Sequence, residues 1–212
     1  GIFPSFAFAW RMKNESFLVD NNVISDMKLR LGYGKTGQQD IGLDFPYLPV
    51  YTLNKDGAQY PFGNEYYNTA RPDAYNKNLK WEQTTTYNAG WDISLLNNRF
   101  SASLDYYYRV TNDLINVTPV PAGTNFRNKV IQNVGSLSNQ GVELMLNAKV
   151  ISTPDVTWDW NYNITYNRNH ITKLTTGDQE GYYVPTGGIY QETKKAHDIR
   201  NQTNSFFIYQ QV

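Results

Sequence analysis

Cysteine is absent from this chain of 212 residues, which excludes disulfides, thiol nucleophiles and cysteine-ligated metals. Histidine is nearly absent: only His170 and His197 occur, too few for a histidine metal cluster. Neither sign of charge is in surplus, with 19 basic and 19 acidic residues, so no global field attracts nucleic acid or an acidic surface. Charged residues make up 18%, below the roughly 25% of an ordinary soluble domain. No apolar run is longer than Phe6 to Trp10, and a membrane helix needs about 20 such residues; helical spans are excluded. The chain starts at Gly1 and shows no signal peptide, so it is expected to be processed or part of something longer. What is abundant is aromatic and amide chemistry: 5 Trp, 17 Tyr, 10 Phe and 24 Asn.

Two-residue alternation replaces helical periodicity almost everywhere. Phe100, Ala102, Leu104, Tyr106, Tyr108 and Val110 alternate with Ser101, Ser103, Asp105, Tyr107, Arg109 and Thr111. Val156, Trp158, Trp160, Tyr162, Ile164 and Tyr166 alternate with Thr157, Asp159, Asn161, Asn163, Thr165 and Asn167. Each stretch reads as a strand with one apolar and one polar face. Residues 81–95 repeat the pattern, with Tyr87, Ala89, Trp91, Ile93 and Leu95 on one face. Asn97 and Asn98 suit a two-residue hairpin turn because Asn tolerates positive φ. Pairing Leu96 with Arg99 sets Leu95 against Phe100, Ile93 against Ala102, Trp91 against Leu104 and Tyr87 against Tyr108. A one-residue slip would put the two apolar sets on opposite faces. A second hairpin turns at Ser152, Thr153 and Pro154. Pairing Ile151 with Asp155 there sets Val150 against Val156, Ala148 against Trp158 and Leu146 against Trp160. Strands around Phe6 to Met12 and Met27 to Tyr33, and a last one from about Asn204 to Val212, bring the expected total to seven.

The connections alternate in length. Residues 38–78, 116–129 and 173–203 are long, 97–98 and 152–154 are tight, and 13–25 is a modest link with a helical turn near 15–18. Short turns at one end and long loops at the other mark an outer-membrane barrel. The strands at 81–95 and 100–115 far exceed the usual 5–6 residues of soluble sheets and the roughly 9–11 of a membrane crossing. The expected fold is all-β, an antiparallel up-and-down transmembrane β-barrel segment. On it Leu104, Tyr106, Val110, Trp158, Trp160 and Ile164 face lipid, and Ser103, Asp105, Arg109, Asn161 and Asn163 face the lumen. Trp91, Trp158 and Trp160 lie toward the tight turns and Tyr87, Tyr106, Tyr108 and Tyr166 toward the long loops, as rings do at two lipid–water interfaces. The competing reading is a secreted carbohydrate-binding β-sandwich, whose strands would also alternate.

Other motifs carry less. Gly32-Tyr33-Gly34-Lys35-Thr36-Gly37 matches a dinucleotide fingerprint, but it ends a strand instead of opening a helix; its glycines fit close packing or a bend. Asp92 and Asp105 could form an acid pair, though solvated lumenal carboxylates explain them better. His170 has no partner constellation that would make it a base or a ligand. No catalytic group, metal site or cofactor is expected, and no enzyme. Tyr51, Tyr60, Tyr66, Tyr67, Tyr182, Tyr183 and Tyr190 crowd the long loops, where they can stack on sugar rings, meet a partner protein or hold the loops together.

Gly1 to Arg11, Ile24 to Arg30, Tyr33 to Gln39, Leu79 to Thr85, Asp105 to Leu114, and Asn133-Val134-Gly135 followed by Asn139-Gln140-Gly141-Val142-Glu143-Leu144 resemble, in order, blocks of the SusC/RagA family. These are TonB-linked outer-membrane transporters of Bacteroidota. The resemblance implies one segment of a larger plugged barrel of about 22 strands, without the plug or remaining strands. It further implies membrane lipid around the barrel, a SusD-like surface lipoprotein, TonB contacts through parts not in this chain, and import of glycans or peptides.

Overall fold

The computed structural model describes residues 1–38, 45–53, 59–121, 123, 127–174, 183–189, 192–198 and 205–206. Six long strands form one antiparallel sheet in the order β1, β2, β7, β8, β9, β10. They are β1 (Ser5–Arg11), β2 (Ile24–Gln38), β7 (Glu82–Leu95), β8 (Phe100–Pro119), β9 (Lys129–Ser152) and β10 (Thr157–Lys173). Neighbours in sequence are neighbours in the sheet, so it is a meander whose edges, β1 and β10, are not joined. Between β2 and β7 lie β3 (Tyr51–Leu53), β4 (Gln59–Phe62), β5 (Glu65–Asn68) and β6 (Ala70–Pro72), paired as β3 with β6 and β4 with β5. Beyond β10, β11 (Tyr183–Ile189), β12 (Glu192–Asp198) and β13 (Ser205–Phe206) form a small sheet.

The β7–β8 register is the expected one: Leu95 faces Phe100, Trp91 faces Leu104 and Tyr87 faces Tyr108. Asn97 and Asn98 take φ of 55° and 62°, and the Arg99 N–H donates to Leu96 O at 3.2 Å. Leu96 itself is left-handed, φ 50°, and its N–H donates to Val23 O at 2.8 Å. The link after β1 holds a short 3₁₀ turn at Met12–Asn14 and one helical turn in which Val19 N–H donates to Glu15 O at 2.9 Å.

The second hairpin corrects the sequence expectation. Ala148 faces Trp160, not Trp158, and Leu146 faces Tyr162, not Trp160. The loop is 153–156, closed by Thr153 N–H to Val156 O at 2.9 Å and Val156 N–H to Thr153 Oγ1 at 3.0 Å. A bulge leaves Val150 between Lys149, opposite Asp159, and Ile151, opposite Trp158. The slip of two residues keeps apolar against apolar, so alternation is blind to it. The loops differ too. The loop expected over 116–129 is shorter, since β8 runs to Pro119 and β9 begins at Lys129; Val117 at its start favours extended backbone. The long connections carry strands of their own. The seventh strand is described only at Ser205–Phe206, which pairs with β12 and not with the large sheet.

Across the six strands the registers line up row by row. Trp10, Leu29, Trp91, Leu104, Leu144 and Ile164 form one apolar row; Phe8, Leu31, Ala89, Tyr106, Val142 and Tyr166 form the next. No second sheet covers them among the described residues: Leu104 is 41% exposed, Ile164 50% and Tyr166 66%. A sandwich would bury this face. Among the described residues the buried apolar ones, Val130, Val134, Ile171 and Leu174, sit instead at the long-loop end. There a core excludes water in the ordinary way; along the sheet the apolar side chains point outward.

Candidate functional site: the polar face and the long loops

The opposite face is hydrogen-bonded across strands. Arg30, Gly90 and Asp105 are register partners on β2, β7 and β8, with Lys28, Asp92 and Ser103 in the adjoining row. Arg30 grips Asp92 bidentately, Nε to Oδ2 and Nη2 to Oδ1, both at 2.8 Å. The same Nη2 donates to Asp105 at 3.0 Å and to Ser103 Oγ at 3.3 Å. Ser103 Oγ bridges the carboxylates, 2.8 Å from Asp92 and 3.1 Å from Asp105. The side chains are 35–36% exposed, so water weakens the Coulomb term and directed hydrogen bonds carry more of the effect. This corrects the reading of Asp92 and Asp105 as simply solvated: both are clamped by Arg30. One guanidinium between two carboxylates ties three strands together.

Glycine makes the crossings possible. A Cβ on Gly90 would stand 2.4 Å from Asp105 Oδ1 and 2.6 Å from Arg30 Cζ. One row toward the loops, Tyr107 reaches over Gly141 and its hydroxyl donates to Asn167 Oδ1 at 3.1 Å. In the same row the Asn88 amide covers Gly32. Gly37 lies beneath the ring of Phe3, which stacks on Trp81 with centroids 5.9 Å apart. Gly34 meets open space, so close packing accounts for Gly32 and Gly37 only.

The other candidate residues fall into place along the rows. Arg109 lies between Thr86 and Asn139. Asn161 faces Asn147, and Asn163 faces Met145, an apolar residue on the polar side. Val110 shares its row with Thr85 and Ser138. Trp158 and Trp160 are 55% and 45% exposed.

At the long-loop end, residues 73–80 are strapped to Arg127 and the start of β9. Asp73 pairs with Arg127 and accepts from Thr52 Oγ1. Asn76 Nδ2 donates to Ile131 O at 3.1 Å. Asn133 clasps Lys80 in both directions at 2.8 Å and donates to Asp113 O at 2.8 Å. Asp113 has φ 57° where β8 departs from regular pairing between Thr111 and Leu114. Tyr51, Tyr60, Tyr66 and Tyr67 are all exposed. Tyr67 donates to Glu65 at 3.0 Å and meets Phe62 edge-on, so part of this aromatic set braces its own hairpin. Tyr183 opens β11; Tyr182 and Tyr190 lie outside the described residues.

Sequence reasoning missed Arg30, Asn88 and Tyr107 as network members. A signal existed: matching Leu29 and Leu31 to Trp91 and Ala89 brings Arg30 opposite Gly90.

Residues 1–200 match the family model described as TonB dependent receptor-like, beta-barrel. The chain is 55% identical over 216 aligned residues to the TonB-dependent receptor SusC of Bacteroides thetaiotaomicron, covering 100% of this chain and 22% of that protein. It is 35% identical to the TonB-dependent receptor P3 of Formosa agariphila, over 95% of this chain and 19% of that one. Among solved structures it resembles the RagAB peptide transporter, with TM-score 0.77 and 31% identity over 96% of this chain and 21% of that one. The chain thus spans about a fifth of the length of the relatives it matches.

Proposed function

The chain belongs to the TonB-dependent receptor β-barrel family, and from that premise we propose that its sheet is an internal wall segment of an outer-membrane importer. The observation that carries this is the two-faced sheet: an apolar face open along its whole width and a polar face riveted by Arg30, Asp92 and Asp105. Lipid covers the first, placing Leu104, Tyr106, Val110, Trp158, Trp160 and Ile164 against acyl chains. The second lines the lumen, with Ser103, Asp105, Arg109, Asn161 and Asn163 toward water and the plug. Further strands of the barrel pair with β1 and β10, because unpaired backbone groups are intolerable in hydrocarbon. The cargo is a glycan or a peptide, handed over by a SusD-like lipoprotein on the cell surface; likeness to the TonB-dependent receptor SusC supports import, and likeness to the RagAB peptide transporter supports a peptide among the candidates. TonB acts through parts outside these residues. The exposed loop tyrosines Tyr51, Tyr60 and Tyr66 are contact candidates for cargo or lipoprotein.

Sidedness tests the reading. The turns 96–99 and 153–156 should be periplasmic and the long connections extracellular. An epitope placed within 173–203 should bind antibody on intact cells, while one at Asn98 should be reached only after the outer membrane is permeabilised. Reverse labelling would overturn the topology. A monodisperse, detergent-free monomer of residues 1–212 that unfolds cooperatively would favour the β-sandwich instead.

A further inference from the structure

The link at 12–23 is long for its end of the sheet, where the other two connections are only 96–99 and 153–156. Asn14, Ser16, Asp20 and Asn22 are exposed, but other polar groups are tied within the link. Lys13 Nζ donates to the carbonyls of Leu18, Val19 and Asn21 at 2.9, 3.1 and 2.8 Å. Asn21 Oδ1 accepts the N–H groups of Val23 and Ile24 at 2.9 and 3.0 Å. Trp10 Nε1 donates to Glu15 Oε1 at 2.8 Å. Two of its apolar side chains turn outward: Phe17 is 62% exposed and Val19 53%. Phe17 meets Trp10 edge-on, with centroids 6.4 Å apart, and Trp10 begins the apolar row that runs through Leu29, Trp91 and Leu104. Exposed Leu96, Val156 and Trp158 continue the apolar rim at the same end.

Lys13 thus holds three of the link's carbonyls, while Phe17 and Val19 stand open beside the apolar row. We propose that residues 12–23 form an interfacial foot that seats Phe17 and Val19 in the periplasmic leaflet of the bilayer, with Lys13 holding the carbonyls that would otherwise lose water unpaired. A lipid surface is the occupant because the patch is continuous with the face that the barrel reading assigns to lipid, on which this proposal rests. Its chemistry also fits, since rings gather at the lipid–water boundary. The foot extends the lipid contact past the last residue of β1.

The test uses the full-length protein in phosphatidylethanolamine–phosphatidylglycerol vesicles, carrying one spin label at a time in a background free of other cysteines. Labels go at Phe17→Cys, at Val19→Cys, which spares the Trp10 contact, at Leu104→Cys and at Asn98→Cys. Labels at Phe17 and Val19 should be quenched by oxygen and shielded several-fold from a water-soluble nickel chelate, as at Leu104 and unlike Asn98. If both instead follow Asn98 while Leu104 stays in lipid, the foot is wrong and the barrel stands. Shielding from both quenchers means that protein covers the link, which also overturns the foot. A Leu104 label exposed to nickel overturns the barrel reading itself.

Discussion

Arg30 and Asp105 are joined at 3.0 Å although a whole strand, β7, lies between theirs. The residue beneath the bridge is Gly90, register partner of both. Its missing side chain is the space that the guanidinium occupies.

Gly90→Ala should therefore destabilise the barrel although alanine is small. The new methyl collides with Arg30 and Asp105, and overpacking of this kind costs about 1–3 kcal/mol. Gly34→Ala, whose Cβ meets nothing within 4 Å, should be neutral or stabilising by up to about 1 kcal/mol. Denaturant unfolding in vesicles reads both, and equal effects would contradict the bridging role.

Arg30→Met strands two carboxylates beside each other. Losing hydrogen bonds to charged groups should cost about 1–3 kcal/mol. Adding Asp92→Asn and Asp105→Asn to that variant should recover most of the loss. If the triple variant is no more stable than the single one, mutual repulsion of the carboxylates is not the cause.

The two faces should differ sharply in tolerance. Leu104 is in an apolar row, and Ser103 sits in the Arg30 network. A basic residue on the lipid side costs about 2–4 kcal/mol at mid-bilayer. Leu104→Arg should then lower assembled barrel in the outer membrane far more than Ser103→Arg, as judged by heat-modifiable gel mobility.

The strap between Asp73 and Arg127 holds the first long connection against the hairpin from β8 to β9. Asp73→Ala should speed protease cleavage within 38–78 on intact cells. Exchanging the two charges, Asp73→Arg with Arg127→Asp, should restore protection, since coupled neighbours typically interact by about 0.5–3 kcal/mol. Unchanged cleavage in Asp73→Ala would remove the strap from the account.

Much of this architecture was legible in the chain itself. Alternation determines which side chains share a face, because the strand period of two leaves no other choice. The tight turn at Asn97 and Asn98 determines the β7–β8 register, since its length sets every pair beyond it. What alternation cannot distinguish is a slip of two, and the hairpin at 153–156 shows it. There the register is decided by the Val150 bulge, whose carbonyl accepts from Arg99 Nη2 at 2.9 Å, while Lys149 O accepts from Arg99 Nε at 3.1 Å. Arg99 lies at the start of β8, on the far side of the hairpin, so only tertiary structure brings it there. The Arg30 cluster is of the same kind. Its members come from β2, β7 and β8, and β2 reaches β7 only after the long connection between Gln38 and Glu82. Local pattern assigns each residue a face, but which charges meet on that face depends on long-range pairing.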